Sequence, residues 1–418
     1  MTETAPARDR NPLRRRRTAN FRLFLASQVA SHGGTWLQFV ALAWLASELT
    51  GSGAALGWIA VATFGPLLVL APWAGALADR VDKRRLLIVV QLMMAAQALV
   101  LGALVLAELD NLISIYCLAF AYGVIHAIEA PVRRAIVAEL VGQEHIPRAV
   151  SLTNVVAAVG RVVGPLGAGA LIATAGIGWC FVANAVSYLI ALTALLWIDR
   201  AALLVAEAES TPGAVRAGLR YAWRVPRLRI ALTLTAVVAT FGFNHQVVIP
   251  LLAARVFDGG VGGYTMLYTA LSAGSVVGAL LVMRRRHIEL RLLTRAVIAF
   301  AVANGCLAVS PNLVLAAGAS FAAGAGALLF VTAAAALLQQ SCAPAMRGRV
   351  MALFAMVLLG GIPLGAPIVG AIADVAGPRA AVAMGSVAAV AAGLCTLRPA
   401  GGATAAAQRR IVAMMPAR

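Results

Sequence analysis

Residues 75–85, GALADRVDKRR, form a short charged segment that separates two long apolar runs. The run VATFGPLLVLAPWA (61–74) precedes this segment, and LLIVVQLMMAAQALVLGALVL (86–106) follows it. Two acids and four bases are gathered here, although only 12% of the chain is charged. A helix that crosses a bilayer needs roughly 20 mostly apolar residues, a length that the runs reach with their apolar flanks. The pattern predicts two membrane-spanning helices joined by a charged turn.

The same alternation of apolar runs and short polar segments continues along the chain. Of its 418 residues, 61% are hydrophobic, whereas soluble domains contain about 45–50% apolar residues. We therefore predict an all-α polytopic membrane protein with 12 transmembrane helices. The predicted spans lie at about 20–47, 54–78, 86–107, 111–138, 149–174, 177–198, 229–254, 262–283, 292–309, 312–340, 349–373 and 379–398.

Positive charge is distributed unequally between the two sets of connecting segments. One set contains nearly all the arginine and comprises the N-terminal tail, 79–85, 133–148, 200–229, 284–295, 347–349 and the C-terminal tail. The other loops are short and contain only Arg255 and Arg379. By the positive-inside rule, we expect a multi-pass protein of a bacterial cytoplasmic membrane with both termini in the cytoplasm. No basic segment is long enough to fold as a nucleic-acid-binding domain, so the expected partners are the lipid bilayer and a small-molecule substrate, and we expect a monomer.

Several classes of function lack the residues that they need. Lys83 is the only lysine, so the chain has no Gly-Lys-Ser/Thr of a P-loop. The five cysteines form no C-x-x-C pair, and the histidines have no metal-ligand spacing. No Ser-His-Asp arrangement is supported either. We expect neither an enzyme nor a cofactor or metal site.

The longest polar segment falls in the middle of the chain and predicts two halves. GPLGAGALIATAG (164–176) is similar to IPLGAPIVGAIADVAG (362–377), which is consistent with an internal repeat. Within the segment, AVRAGLRYAWRV (214–225) suits either an amphipathic helix on the membrane surface or a solvated linker helix. The predicted parts are a cytoplasmic tail at 1–19, a six-helix bundle at 20–198, a cytoplasmic linker at 199–228, a second six-helix bundle at 229–398 and a cytoplasmic tail at 399–418.

Three motifs carry a resemblance to a known family. Gly75-x-x-x-Asp79-Arg80-x-x-x-Arg84-Arg85 resembles the signature loop of the major facilitator superfamily, with Asp82 where that loop usually has a second glycine. Gly160, Gly164, Pro165, Gly167 and Gly169 in the fifth span are similar to the antiporter-type signature of the superfamily. EAPVRRAIVAELV (129–141) and LLQQSCAPAMRGRVMAL (337–353) resemble the branch that includes the enterobactin exporter and macrolide efflux proteins. The resemblance implies the major facilitator fold, with two six-helix bundles.

Asp79 is an acid at the membrane-level end of a helix, where an unpaired carboxylate is costly. Its partner could be a cation, with Arg80, Lys83 and Arg84 as candidates, or a helix N-terminus. The resemblance implies the start of the eleventh span, at Gly348 and Arg349, which gives a latch that breaks when the cytoplasmic side opens. Alternatively, the bases only hold the loop inside. Gly75 is expected to allow close helix packing.

Polar residues inside the spans are candidates for the transport site. Gln28, His32 and Thr35 share one face of the first span. The corresponding seventh span has Thr240, Asn244 and His245, and the resemblance implies that both spans line a central cavity. The alternative is hydrogen bonding between helices.

A charge cluster is expected between the fourth and fifth spans. His126 and Glu129 lie on one face of the fourth span, and we predict a buried pair between Glu129 and Arg161, with Arg133 as a competing partner. Such a pair could carry the coupling proton or act as a static brace. No other acid lies at mid-depth, which favours a neutral, amphipathic or anionic substrate.

These observations predict a secondary active transporter that exports a small molecule, such as a drug, a siderophore or a metabolite, by alternating access. The coupling ion is expected to be a proton, in antiport. A proton-coupled uptake symporter is the alternative within the class. A non-transporting scaffold or sensor on the same fold is the alternative from another class.

Overall fold

The computed structural model describes residues 12–204, 214–283, 285 and 287–397. These residues form α-helices joined by short turns, with no strand in the described ranges. The helices are α1 (Pro12–Thr50), α2 (Gly53–Arg80), α3 (Lys83–Leu106), α4 (Leu112–Val141), α5 (Ile146–Thr174), α6 (Gly178–Trp197), α7 (Ala214–Arg224), α8 (Pro226–Val237), α9 (His245–Arg255), α10 (Gly260–Met283), α11 (Leu290–Val309), α12 (Leu313–Ser341), α13 (Arg347–Val375) and α14 (Pro378–Leu397).

The lengths of the helices agree with the predicted membrane spans. Eleven crossings in the described chain are long and apolar enough to span a bilayer, with α8 and α9 acting as one crossing, Pro226–Arg255. The first helix, α1, has 39 residues but carries many polar side chains, which lower its mean hydropathy. With α1, the arrangement is compatible with twelve spans. The start of α1 at Pro12, before the predicted 20, places part of the predicted tail in this helix.

Capping side chains mark where helices begin, and glycine turns follow where helices end. Asn111 caps α4 in a reciprocal capping box with Ser114. Asn312 caps α12 by accepting a hydrogen bond from the backbone N–H of Leu315. Gly176 and Gly377 turn the chain with φ values of 99° and 88°, which side chains disfavour. Successive helices can therefore run back and forth with only a few residues between them.

The bundle has two chemically different ends. The basic end contains the turns at 81–82, 142–145 and 198–202 and the described residues 285 and 287–289, together with Arg84, Arg148, Arg200 and Arg347. The short-loop end contains the turns at 51–52, 107–111, 175–177, 256–259, 310–312 and 376–377. Their order along the chain is the one that the charge pattern predicts.

The apolar core is shared between the halves at the short-loop end only. One cluster joins Val40–Ala46 of the first half to Val247–Ala253 and Tyr264 of the second. Toward the basic end, the core around Phe24 and Ile136 is built from the first half, and the core around Phe330 from the second half. The two halves thus meet at the short-loop end and have separate cores at the basic end.

A carboxylate clamp closes the short-loop end. Asp374, in the last turn of α13, lies against the N-terminus of α2. Its Oδ1 accepts a hydrogen bond from the backbone N–H of Gly53 (2.7 Å), and its Oδ2 accepts from Ser52 Oγ (2.8 Å) and the N–H of Ala54 (2.9 Å). Arg255 adds an ion pair at 3.3 Å and donates to the carbonyl of Gly51. A helix N-terminus favours a negative charge, so this contact stabilises the closed end.

Candidate substrate cavity

A polar cavity lies among the first six helices, between the shared apolar core and the basic end. Its volume is about 240 Å³. This is somewhat smaller than the usual pocket for a drug-sized molecule. The lining residues are Ser31, His32, Thr35, Trp36, Phe39, Thr63, Phe64, Met94, Tyr122, His126, Glu129, Arg133, Ala157, Arg161 and Tyr188.

Small residues in α5 let α1 approach and so set the shape of the cavity. A Cβ at Gly160 would lie 2.9 Å from the Cβ of His32, and one at Gly164 would lie 2.5 Å from the Cβ of Trp36. Both distances are too short for real side chains, so these positions require glycine. Gly169 fulfils the same role against Thr265 of α10. Pro165 is buried within α5. The predicted packing role of these residues agrees with the structure.

Glu129 is the buried acid of the cavity, and its partner is not the predicted Arg161. Its Oε1 pairs with Arg133 Nε at 3.1 Å, and its Oε2 lies 3.4 Å from His126 Nδ1. Arg133 and His126 are four and three residues away on the same helix, so their side chains lie beside Glu129 by geometry alone. Arg133 is therefore the partner of Glu129 in place of the predicted Arg161, because α4 itself supplies the cation.

Arg161 instead lies over an aromatic ring. Its guanidinium carbon is 5.0 Å from the ring centroid of Trp36, a cation–π distance. The Nε atom is buried without a hydrogen-bond partner. Within the described part of the chain, Arg161 makes no ion pair. The two arginines of the cavity thus differ, since Arg133 is neutralised and Arg161 is not.

Of the three predicted residues of α1, Gln28 and His32 contact the charge cluster, and His32 and Thr35, but not Gln28, line the cavity. Arg133 Nη1 donates to Gln28 Oε1 and lies within hydrogen-bond distance of His32 Nε2, both at 3.3 Å. Because an arginine nitrogen can only donate, Nε2 of His32 must accept, which leaves that imidazole neutral. Thr35 Oγ1 lies 3.0 Å from the hydroxyl of Tyr188. The shared face predicted from spacing is therefore present.

An aromatic cluster separates the cavity from the shared apolar core. It consists of Trp36, Phe39, Phe64 and Tyr268. The ring centroids of Trp36 and Phe39 are 5.3 Å apart, and those of Phe39 and Tyr268 are 6.4 Å apart. Tyr268 comes from α10 of the second half, so the cluster spans both halves. Opening the short-loop end would require these rings to part.

The predicted residues of the second half do not reach this cavity. Asn244 and His245 line a separate, very small pocket of about 10 Å³ with Asn304 of α11. His245 Nε2 lies 3.1 Å from Asn304 Oδ1, and Asn244 donates to the carbonyl of Thr240 at 2.6 Å. A π-helical turn, Val238–Gly242, precedes them and shifts the helical phase of the residues that follow. The prediction that both spans line one cavity is therefore wrong for this conformation.

The predicted latch depends on Asp79, which lies in the last turn of α2 and whose side chain is outside the described part of the structure, so the latch stays a prediction. A Cβ at Gly75 or at Gly348 would meet nothing within 4 Å, so the close helix packing expected at Gly75 is not present. Arg349 lies against Gly218 of α7. The halves have separate cores at this end.

Two of the candidate cations for Asp79 contact other groups in the first half. Lys83 Nζ pairs with Glu139 at 2.7 Å, and Arg84 donates to the carbonyls of Leu195 and Leu196. Arg80 is exposed. Lys83 and Arg84 thus tie α3 to neighbouring helices of the first half, and their predicted contact with Asp79 falls on a side chain outside the described residues.

Asp82, which replaces the usual second glycine, caps α3. It accepts from the backbone N–H of Arg85 at 2.9 Å and pairs with Arg200 at 2.9 Å. Its φ of −54° is open to any residue, so no glycine is needed. Burial raises the pKa of this carboxyl, but the hydrogen bond from Arg85 and the charge of Arg200 outweigh it and hold the pKa below its usual value.

Sequence reasoning missed two groups of residues. The first is the aromatic cluster, whose members look like ordinary apolar residues of their spans. The second is a buried amide network, in which Asn184 donates to Gln38 at 2.7 Å and Gln38 donates to Gln97 at 3.2 Å. The amides could have been found from the sequence, because a polar side chain inside a membrane span needs a hydrogen-bond partner on a neighbouring helix. These bonds hold α1, α3 and α6 together beside the cavity.

Comparison with curated proteins places several transporters near this chain. A staphyloferrin A transporter of Staphylococcus aureus (strain NCTC 8325 / PS 47) is 27% identical over 261 residues, which are 62% of this chain and 65% of that protein. The multidrug efflux pump Tap of Mycolicibacterium fortuitum is 28% identical over 381 residues, covering 86% of this chain and 90% of the pump. Enterobactin exporter EntS of Salmonella paratyphi A (strain ATCC 9150 / SARB42) is 25% identical, with 52% of each chain covered. The chain thus spans just under two thirds of the staphyloferrin A transporter and about half of the enterobactin exporter.

Solved structures share the fold. The nucleoside transporter NupG matches with a TM-score of 0.71 at 11% identity, over 91% of this chain and 98% of its own. A bacterial homologue of the lysosomal transporter Spinster, inward-facing and unoccupied, matches with a TM-score of 0.68 at 16% identity, over 91% and 94%. Likeness at this identity concerns the fold alone. The family model described as transmembrane secretion effector matches residues 10–416. This chain belongs to that family, within the major facilitator superfamily, whose helical fold it has.

Proposed function

We propose that the protein exports a small molecule from the bacterial cytoplasm by alternating access, with a proton moving in the opposite direction. The observation that supports export most directly is the match to a multidrug efflux pump over 86% of this chain and 90% of that pump. The cavity supports a transport site, because it combines a volume of about 240 Å³ with buried charges inside the membrane-spanning helices.

Closure at one end fits one state of such a cycle. The clamp at Asp374 and the shared core close the short-loop end, whereas the halves have separate cores at the basic end. We propose that the basic end is cytoplasmic, so that the conformation receives substrate from inside. The proposed moving bodies are the bundles at 20–198 and 229–398, in a monomer. The latch between Asp79 and the start of α13 is proposed for the opposite state.

The coupling proton is proposed to bind at Glu129. This acid is 2% exposed and lies between Arg133 and His126, so a change in either contact would change its affinity for a proton. A substrate or a movement of α4 could make that change. We propose no cofactor.

Export and coupling can be tested together in inverted membrane vesicles. A respiration-driven pH gradient is monitored with a quenched acridine dye while compounds are added from a panel of aryl carboxylates, neutral amphiphiles and aryl amines. Antiport predicts that a substrate partly dissipates the gradient, and that its uptake into the vesicles requires the gradient. Vesicles without the protein serve as the control.

The opposite direction is distinguished with intact cells. If a compound of the panel leaves the gradient of inverted vesicles intact but is accumulated from the medium by energised cells only when the protein is present, the protein is a symporter and the export proposal fails. If uptake into inverted vesicles continues at the same rate after the pH gradient is collapsed, the proposed proton coupling is wrong, while the proposed export stands.

A further inference from the structure

The charges of the cavity do not cancel. Glu129 is the only carboxylate among the lining residues, and it is paired with Arg133 at 3.1 Å. His32 is neutral, because its Nε2 accepts from Arg133. Arg161 therefore remains as a guanidinium without an acidic partner among the described residues.

An uncompensated guanidinium at this position has an energetic cost. Its Nε atom is buried without a partner, and the ring of Trp36 covers it at 5.0 Å. A cation–π contact replaces only part of the hydration that a charge loses on burial. An incoming anion would restore the missing interaction, since a planar guanidinium takes a carboxylate through two parallel hydrogen bonds.

Much of the remaining cavity wall is apolar or aromatic. Phe39, Phe64 and Met94 line it together with the rings of Trp36 and Tyr122. Aromatic rings pack offset or edge-to-face against such walls. The ammonium of a cationic ligand would have to compete with Arg133 for Oε1 of Glu129, while Oε2 is buried 3.4 Å from His126 Nδ1 without a hydrogen bond.

We propose that the cavity binds an aromatic organic acid, with its carboxylate on Arg161 and its ring system against Phe39 and Phe64. The proposal rests on the export function proposed above and names the class of molecule that the same cavity takes. Trp36 acts as a positioning residue, because it fixes the plane of the guanidinium. Arg133 is not the anchor, since its charge is used by Glu129.

The competing explanation is that Arg161 and Trp36 form a static brace between α5 and α1. Both explanations predict that loss of Arg161 lowers stability. Only the anion site predicts that loss of Arg161 removes a preference for the charged form of a ligand. The test therefore compares ligands of one shape and different charge.

The experiment measures equilibrium dialysis of three labelled probes with the full chain purified in detergent. The probes are naphthalene-2-carboxylate, its methyl ester and naphthalen-2-ylmethylammonium. We expect wild-type protein to bind the carboxylate about tenfold more tightly than the ester, as charge-assisted hydrogen bonds allow. The ratio should fall to about one in Arg161→Gln and should be intermediate in Arg161→Lys, which keeps the charge without the fork.

The matched control is Arg134→Gln. Arg134 is exposed and donates to the carbonyl of Ala130 of its own helix, so this variant should keep the wild-type ratio. An unchanged ratio in Arg161→Gln, or tighter binding of the ammonium by wild-type protein, overturns the proposal. If Arg161→Gln is not monodisperse, Arg161→Met decides, because it keeps the length of the side chain without the charge, and an unchanged ratio there identifies the brace. Binding is measured without a gradient, so its result is independent of whether the protein exports.

Discussion

At the scale of single residues, the charge balance of the cavity depends on Glu129. This acid neutralises Arg133 and lies beside His126, while Arg133 in turn contacts Gln28 and His32. Every group in this network therefore responds to the protonation of one carboxyl. A static brace would keep the pair in all states, whereas a coupling site has to release it.

Glu129→Gln is the substitution that separates these roles. We expect export in proteoliposomes to continue at a reduced rate but to become independent of the pH gradient, because an amide cannot carry the proton. The measurement compares initial rates with an imposed gradient and with none. Glu139→Gln, ten residues further along α4, removes the pair with Lys83 at the basic end and is the matched control.

The single variant leaves Arg133 uncompensated, which by itself destabilises a buried site by about 3–5 kcal/mol. The double variant Glu129→Gln, Arg133→Gln removes that cost and should also lack the dependence on the gradient. A double variant that is still driven by the pH gradient would contradict the assignment of Glu129.

At the scale of elements, α5 is shaped by the helix against which it packs. Gly160 and Gly164 face α1, and Gly169 faces α10, whereas a Cβ at Gly167 would make an ordinary contact of 3.5 Å with Leu37. Spacing alone does not distinguish these glycines, since all belong to one small-residue pattern. The distances from a Cβ to the neighbouring helix separate Gly160, Gly164 and Gly169 from Gly167.

Gly164→Ala and Gly167→Ala form a matched pair within one helix. The first places a methyl group against Trp36, and we expect a loss of about 1–3 kcal/mol with a lower melting temperature, as in other overpacked sites. The second should melt as wild-type protein does. The measurement is thermal unfolding followed by tryptophan fluorescence, and equal melting temperatures for the two variants would contradict the close contact.

The clamp on the N-terminus of α2 gives a prediction about the conformational equilibrium. Asp374→Ala removes the acceptor for three donors of residues 52–54 and the partner of Arg255. We expect the short-loop end to open more often. The accessibility of Leu56→Cys, now 3% exposed in the shared core, should rise by about tenfold, which corresponds to about 1.4 kcal/mol.

Labelling of this cysteine by an impermeant maleimide in intact cells measures the change, in a background without the five native cysteines. Arg379→Gln is the control at the same end, because Arg379 donates to the carbonyl of Ser310 within the second half. Equal labelling in the Asp374→Ala variant and the parent would show that the clamp does not hold the end closed.

At the scale of the whole molecule, orientation follows from charge. We expect the basic end to be cytoplasmic, because Arg-rich loops are retained there. A fluorescent protein fused after residue 418 should fluoresce, and alkaline phosphatase inserted between Asp258 and Gly259 should be active outside. The reverse pattern of the two reporters would invert the proposed direction of transport.

Much of the architecture could be predicted from the sequence, because hydropathy and loop charge depend on position along the chain. The spans, the polarity of the two ends and the packing glycines of α5 are of this kind. The partner of Arg161 could not be predicted in this way, since it depends on how α4 and α5 are rotated about their axes. The placement of Asn244 and His245 depends on a π-helical turn, which a period of 3.6 residues does not anticipate.

The cavity is lined by the first six helices alone, between Ser31 and Tyr188, which has a consequence for how specificity is inherited. In the proposed site, the half of the chain that contacts the ligand and the half that completes the closure are different stretches of sequence. New preferences can therefore arise by substitutions confined to the first 190 or so residues. A chimera that takes residues 214–397 from a distant relative should keep the ligand selectivity of this chain, provided that the rings around Tyr268 still fit.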